Sequence, residues 1–232
     1  MLYRFHAERP ATPVIVLISG YARAGKGKLS NEIWDAIFGG TFDPAPADYY
    51  IREFNFADQL KHAANRFLEH LDLFKFGDHE NPDRVSFFHD KFKNQHRDAL
   101  VSMGKLARGV DKDIFASMFL KSVANNTQLI TNGQNYKNDV VIYICSDWRY
   151  LNEYEFIRHR LGQMSEIYGK HMANDGFIVP IYVETENVLP ANDEELQSIA
   201  EIHRELNIPV FKFANAQHRR FDRAGRDLAN YI

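Results

Sequence analysis

The sequence predicts an α/β protein, a parallel sheet with helices on both faces. Three observations carry that expectation. Five short runs rich in β-branched or aromatic residues are spread along the 232 residues. Apolar residues at helical spacing fill most of the intervals. The first run passes through a glycine-rich turn directly into a helical pattern. Strands alternating with helices require crossover connections, which set neighbouring strands parallel and cover both sides of the sheet.

The first strand is Val14 to Ser19 (VIVLIS), an apolar run that ends at Gly20. A continuous run of this kind marks a strand buried on both faces. Lys28 to Phe38 alternates at helical spacing, and Gly39-Gly40 closes it. Tyr49 to Phe56 is the second strand, after the Asp/Pro-rich loop Asp43 to Asp48. Asp58 is placed to cap the next helix, whose expected buried stripe is Leu60, Ala63, Ala64, Phe67, Leu68 and Leu71. Gly77 to Asp98 is polar, without a clear period, and suits an insertion or a substrate-covering segment. Helical spacing resumes from Ala99 to about Val123, and Ala124 to Asn138 reads as loop. Val140 to Cys145 (VVIYIC) is the most strand-like run, and Phe177 to Val183 and Val210 to Phe213 complete the set.

Composition narrows the class. With 45% apolar residues the chain can build a core, and its length fits one large domain or one domain with an insertion, at ~150 residues per domain. No run of ~18 apolar residues suggests a membrane span. The start, MLYRFHAERPATP, lacks the apolar stretch of a secretory signal. Cys145 is the single cysteine, which excludes an internal disulfide framework and a cysteine-rich zinc site. A cytoplasmic protein is expected. A net charge of −3 argues against broad nucleic-acid binding. The ten histidines show no H-E-x-x-H or comparable ligand spacing.

The turn after the first strand carries the chemistry. Gly20-Tyr21-Ala22-Arg23-Ala24-Gly25-Lys26-Gly27 satisfies G-x-x-x-x-G-K between a strand and a helix, the context a phosphate-binding loop needs. The two glycines let the backbone turn successive N–H groups toward an anion, and the helix start adds partial positive charge. Lys26 is placed for the β- and γ-phosphates of a nucleotide. Gly27 stands where many such loops carry Ser or Thr; small nucleoside monophosphate kinases commonly read G-K-G-T. Lys28 occupies that Thr position, either as a charge in place of the hydroxyl or as a solvated residue of the first turn. Ser30 offers a hydroxyl further on.

Further segments extend the pattern. Phe56-Ala57-Asp58-Gln59-Leu60-Lys61 matches F-A-x-x-[LI]-K. Met103-Gly104-Lys105-Leu106-Ala107-Arg108, followed by Asp111, Asp113 and Phe115, matches G-T-x-x-x-R with a downstream aromatic, although Lys105 replaces the Thr. Asp147-Trp148-Arg149-Tyr150-Leu151-Asn152-Glu153 matches D-x-R-x-x-N-E after the strand VVIYIC, and Phe213-Ala214-Asn215 ends a late strand in Asn. With these motifs in this order over residues 14 to 215, the chain resembles the phage deoxynucleoside monophosphate kinases, a P-loop kinase group that in parts resembles dephospho-coenzyme A kinases.

The resemblance implies a three-layer P-loop NTPase fold over residues 1–232, with five parallel strands in the order 2-3-1-4-5. It implies a helical substrate-binding insertion at about 59–125 and a lid-like segment at about 150–205. The basic lid residues of the family are not evident in Thr185 to Glu195. It further implies transfer of the ATP γ-phosphoryl group to a deoxynucleoside monophosphate, with ATP and Mg²⁺ required. On it, Gly20 through Lys28 and Asn215 bind ATP, and Asp58, Lys61, Gly104, Arg108 and Arg149 face the acceptor. Lys26, Arg108, Arg149 and Asp147 serve the transfer, Asp147 also meeting Mg²⁺ through water in the manner of a Walker B acid. A homodimer is the expected assembly. Cations suit the task, because two anionic substrates must be brought together and Arg binds phosphate oxygens bidentately.

Each position also has a structural reading. Lys61 and Arg108 can be solvated helix residues, and Asp58 and Asp147 can be helix caps. Of the 18 Phe and 11 Tyr most must fill the core. Phe74, Phe76, Phe87, Phe88 and Phe92 fall in the unpatterned stretch, where base stacking is the functional alternative. Two competing functions share the fold. A phage 5-hydroxymethyluracil DNA kinase would need a basic face, with Lys91, Lys93, Arg97, Arg219 and Arg220 of the His218-Arg219-Arg220 run as its sources, and a general base. A nucleotide-binding protein without turnover is the other, prompted by the missing hydroxyls at Gly27 and Lys28.

Overall fold

The computed structural model describes residues 12–38, 49–71, 86–132, 140–168 and 178–213. In chain order these form β1 (Thr12–Ser19), α1 (Lys26–Phe38), β2 (Tyr49–Glu53), α2 (Phe56–His70), α3 (Asp90–Gln95), α4 (Arg97–Val110), α5 (Ile114–Asn132), β3 (Val140–Cys145), α6 (Leu151–Tyr168), β4 (Ile178–Thr185), α7 (Asp193–Glu205) and β5 (Val210–Phe213). The sheet has five strands in the order β2-β3-β1-β4-β5, and every neighbouring pair is parallel. Among the described residues no helix is long and apolar enough to cross a membrane.

The period-2 alternation of strand side chains explains the layers. Val14, Val16 and Ile18 of β1 join Ile142, Ile144, Val179, Ile181 and Val183 on one face, where Leu29 and Ile33 of α1 cover them. Ile15, Leu17, Val141, Tyr143 and Cys145 point to the other face. There they meet Phe56 of α2, Phe115, Phe119 and Val123 of α5, Ile157 of α6, and Ile199 and Ile202 of α7. Helices therefore cover both faces, which is why the central strands read as unbroken apolar runs.

Several boundaries move. β2 stops at Glu53, because Asn55 turns the chain into α2 with Phe56 as its first residue. Asn55, not Asp58, is the N-cap; Asp58 is the third helical residue of a capping box, and its Oδ2 accepts the Asn55 N–H at 3.1 Å. Of the expected stripe Ala64 is buried, but Ala63, Phe67 and Leu71 are exposed. The helix leans instead on Phe56 and Asn65, whose side chain bonds Ser86 and the Phe87 N–H. The described part of the unpatterned stretch forms α3 and the start of α4. The expected helix from Ala99 to Val123 is two helices, broken where Asp111 accepts the Asp113 N–H. α5 then runs to Asn132 through the stretch read as loop. Thr127, buried, holds this extra turn by donating to the Val123 carbonyl and meeting the Tyr143 hydroxyl at 2.7 Å.

The range 150–205 is not a lid. Its described residues include β4, paired with β1 over Ile15 to Ser19, and core positions of α6 and α7 at Ile157, Ile199 and Ile202. Gly39-Gly40, the loop Asp43 to Asp48, Phe74, Phe76, Asn215 and His218-Arg219-Arg220 lie outside the described residues.

Tyr143 is the polar joint of the larger core, with its hydroxyl at 2.7 Å from Thr127 and 3.2 Å from Asn126. Tyr143→Phe leaves these buried groups short of a partner. It is expected to lower unfolding free energy by about 1–3 kcal/mol, read from urea denaturation; an unchanged midpoint would refute the joint.

Candidate functional site

The C-terminal ends of β1, β3 and β4 meet at the point where the chain's connections diverge, β1 leading toward β2 and β4 toward β5. Open α/β sheets place their ligand sites at such points. The Gly20–Gly27 loop leaves β1 here. Gly20 has φ 145°, and a Cβ on it would lie 2.5 Å from the Val183 carbonyl oxygen of β4. Arg23 (φ 68°) and Gly25 (φ 91°) also occupy positive-φ backbone. The loop is clamped from β4 by Thr185, whose hydroxyl donates to the Ala24 carbonyl at 2.7 Å. It is clamped from α7 by Glu195, whose Oε1 accepts the Ala22 N–H at 3.0 Å. α1 begins at Lys26 with no acidic residue in its first turn, which leaves its positive end uncompensated by sequence.

Lys26 turns its ammonium onto the loop itself, donating to the carbonyls of Gly20 at 2.7 Å and Tyr21 at 2.8 Å. Burial and the nearby Arg149 cation bring its pKa down to about 8, against the opposing pull of Glu195 and Asp147. Ser30 does not supply the missing hydroxyl. It is buried and donates to Glu53 at 3.2 Å.

Beside the loop lies a cavity of about 780 Å³. Ala22 and Arg23 form its loop wall, α2 contributes Lys61, α4 contributes Gly104 and Arg108, and the segment after β3 contributes Asp147 and Arg149. The structure thus brings the phosphate loop, Lys61, Arg108 and Arg149 to one place. Gly104 acts by its smallness: a Cβ there would meet Leu60 at 3.1 Å, so glycine lets α4 lie close on α2. Arg108 sits against two rings, Phe115 at 4.8 Å and Tyr150 at 4.4 Å, with Glu153 at 3.9 Å. The downstream aromatic of the motif is therefore a guanidinium platform. Asn152 ties the α4–α5 turn to α6 by donating to the Lys112 carbonyl and to Asp113, both at 3.0 Å.

Two expected site carboxylates have structural work. Asp147 accepts the N–H groups of Phe56 and Ala57, each at 2.8 Å, so it pins the start of α2 to the end of β3. It lines the cavity with each of its oxygens already accepting one N–H. Asp58 is not among the residues that line the cavity; its oxygens serve the Asn55 N–H and Lys61 at 2.9 Å. Nor do Phe87, Phe88 or Phe92 line it. Phe87 packs edge-on against Phe92, and Phe88 lies under Lys61.

Lys105, in place of the motif Thr, reaches across the cavity mouth to Glu194 of α7 at 3.0 Å. Glu194 also accepts from the Tyr150 hydroxyl at 2.6 Å, a bond that holds its carboxyl below the usual range together with the one from Lys105. Lys93 and Arg97, weighed above as a nucleic-acid patch, line the cavity as well.

The residues that sequence reasoning did not single out are Glu153 and Glu195, both with side chains about 3% exposed. Glu153 ends the quoted D-x-R-x-x-N-E pattern and accepts the N–H groups of Arg149 and Tyr150. Glu195 stands three residues after Asn192, the capping-box spacing, which offered a signal for the helix start but not for a reach to the loop. Comparison with models of protein families gives no match, and no curated protein is significantly similar to the chain.

Burial, opposed chiefly by Arg108, raises the Glu153 pKa from 4.5 to about 7. Its folded form holds a proton that the unfolded chain has released, so its contribution to stability falls between about pH 4.5 and 7 and levels off above. Relative to wild type, Glu153→Gln is expected to gain stability on going from pH 5 to pH 8, by an order of about 3 kcal/mol. Urea unfolding at the two pH values checks this; a pH-independent difference would count against it.

Proposed function

We propose that the chain is a P-loop kinase that transfers the γ-phosphoryl group of ATP to the 5′-phosphate of a deoxynucleoside monophosphate. The observation that carries the reading is the clamped Gly20–Gly27 loop opening beside a cavity whose wall presents Lys61, Arg108 and Arg149. In the transfer, an ionised oxygen of the acceptor phosphate attacks the γ-phosphorus, and the bond to the β–γ bridging oxygen breaks to release ADP. The attacking oxygen needs no deprotonation at pH 7, so positioning and charge neutralisation supply the rate. The loop N–H groups and Lys26 receive the donor phosphates once the ammonium leaves the carbonyls of Gly20 and Tyr21. Arg149 and Arg108 neutralise the transferred group and the acceptor phosphate.

Mg²⁺ supplies further neutralisation of the donor phosphates. Gly27 offers no hydroxyl to it, Asp147 has both oxygens on N–H groups, and among the described residues no group of three acidic, His or Cys side chains is placed to hold a metal. These residues fit an ion carried by phosphate oxygens and water, with Asp147 in its outer sphere. Asp58 does not line the cavity and Asp147 accepts two N–H groups, so neither of these two carboxylates stands free as the general base that an alcohol acceptor needs.

The test uses γ-labelled ATP and Mg²⁺ with free deoxynucleoside monophosphates, including 5-hydroxymethyl forms, and with duplex DNA containing or lacking 5-hydroxymethyluracil. Label on a free monophosphate is expected, and Lys26→Ala is expected to cut transfer by about 10²–10³-fold. Label only on modified DNA would move the function to base modification, and ATP binding without transfer to any acceptor would leave a nucleotide-binding protein. Near-normal transfer by Lys26→Ala would refute the loop assignment.

A further inference from the structure

The geometry points to Glu195 as a positioning residue for phosphoryl transfer, one that fixes the Arg149 guanidinium relative to the phosphate-binding loop. This inference rests on the kinase reading and adds a residue to it. Glu195 Oε1 accepts the Ala22 N–H at 3.0 Å and lies 4.0 Å from Arg149 Nη1, so one atom is bonded to the loop and within ion-pair range of the arginine. Its other oxygen accepts the Ala191 N–H at 2.7 Å.

These contacts are not needed to start the helix. The N-cap of α7 is satisfied by Asn192, whose side chain accepts the Glu195 N–H at 2.9 Å. A glutamate at this capping-box position ordinarily returns to the N-cap's own N–H. Here Oε2 returns to the residue before the N-cap, Ala191, while Oε1 spans 173 residues of sequence to the loop. A carboxylate this buried is costly unless paired and hydrogen-bonded, and its three partners, Ala22, Arg149 and Ala191, all line the cavity. Arg149 is then fixed at two ends, its backbone N–H on Glu153 at 3.3 Å and its head beside Glu195. Its side chain stays 39% exposed and lines the cavity. An arginine pre-set in this way loses less freedom when it meets a phosphate.

A double-mutant cycle on kcat tests the assignment. Glu195→Gln keeps an acceptor for the Ala22 N–H and removes the charge beside Arg149. It is expected to lower kcat about 10-fold with KM for ATP within about twofold. In an Arg149→Ala background the same change is expected to have no further effect, because groups that act as a unit are non-additive. Thermal melting establishes that each variant folds. If Glu195→Gln does not fold, Glu195→Asp, which keeps the charge but shortens the reach, takes its place with the same expected pattern. An unchanged kcat, or an equal loss in both backgrounds, overturns the inference alone and leaves Glu195 a packing residue. Absence of transfer from the wild-type chain to every acceptor overturns the kinase reading, and this inference with it.

Discussion

Gly20 passes so close over β4 that a Cβ would sit 2.5 Å from the Val183 carbonyl oxygen, and it does so at φ 145°. Both facts exclude an ordinary side chain. The loop's path depends on this crossing, since it sets where the chain leaves β1 and brings Ala24 within reach of Thr185, two residues further along β4. With that edge fixed, Glu195 secures the Ala22 N–H from the opposite side, and the Gly20 and Tyr21 carbonyls are left facing Lys26. A loop anchored to a strand and a helix from two sides keeps its backbone in one shape, with the Ala22 N–H on Glu195 and the Ala24 N–H on the Tyr21 carbonyl. Preorganisation of this kind is what makes backbone dipoles effective toward an anion.

Asp147 performs a parallel task for the other wall of the cavity. By accepting the first two N–H groups of α2 it hangs that helix from the end of β3, two residues before Arg149. Gly104 then lets α4 settle on Leu60 of α2, which brings Arg108 to the rings of Phe115 and Tyr150. The cations of the cavity are thus carried by elements that share one strand end, and a shift of α2 would displace Lys61 directly and Arg108 through its neighbour. Cys145 donates to the same carboxylate at 3.2 Å, and burial pushes its thiol well above the ordinary range. The lone cysteine is therefore an inert part of the joint, in keeping with its complete burial.

The parts of this arrangement that were legible in the sequence are those written in local pattern. VIVLIS and VVIYIC announce their strands because burial on both faces keeps them almost wholly apolar, and Gly20 and Gly25 stand where the backbone takes positive φ. What was not legible depends on partners distant in the chain. Ala124 to Asn138 reads as loop by its Asn and Gln content, yet Thr127 and Asn126 are drawn into helix by the Tyr143 hydroxyl on β3. Phe67 and Leu71 carry the right period for a buried stripe but face outward, because α2 meets the core through Phe56, Leu60 and Ala64. Glu195 is the sharpest case. Its neighbours Asp193 and Glu194 are exposed acids of a first helical turn, and nothing local distinguishes the third acid, whose partner Ala22 is 173 residues away.

Charge pairing across the cavity gives this placement a functional sense. Lys61, Lys93, Lys105, Arg108 and Arg149 each have an acidic neighbour, in Asp58, Asp90, Glu194, Glu153 and Glu195. Arg23 and Arg97 line the cavity with no ion-pair partner among the described residues. The seven cations that line the cavity repel one another, and the neighbouring acids offset that repulsion at 4.0 Å or less while the chain as a whole carries −3. The two arginine pairs differ from the lysine pairs in one respect: their carboxylates are buried, and each accepts two backbone N–H groups. Such carboxylates do not swing away when an anion enters, so the guanidinium stays where it was set and only its open edge changes partner. Orientation of the guanidinium is then built into the fold itself.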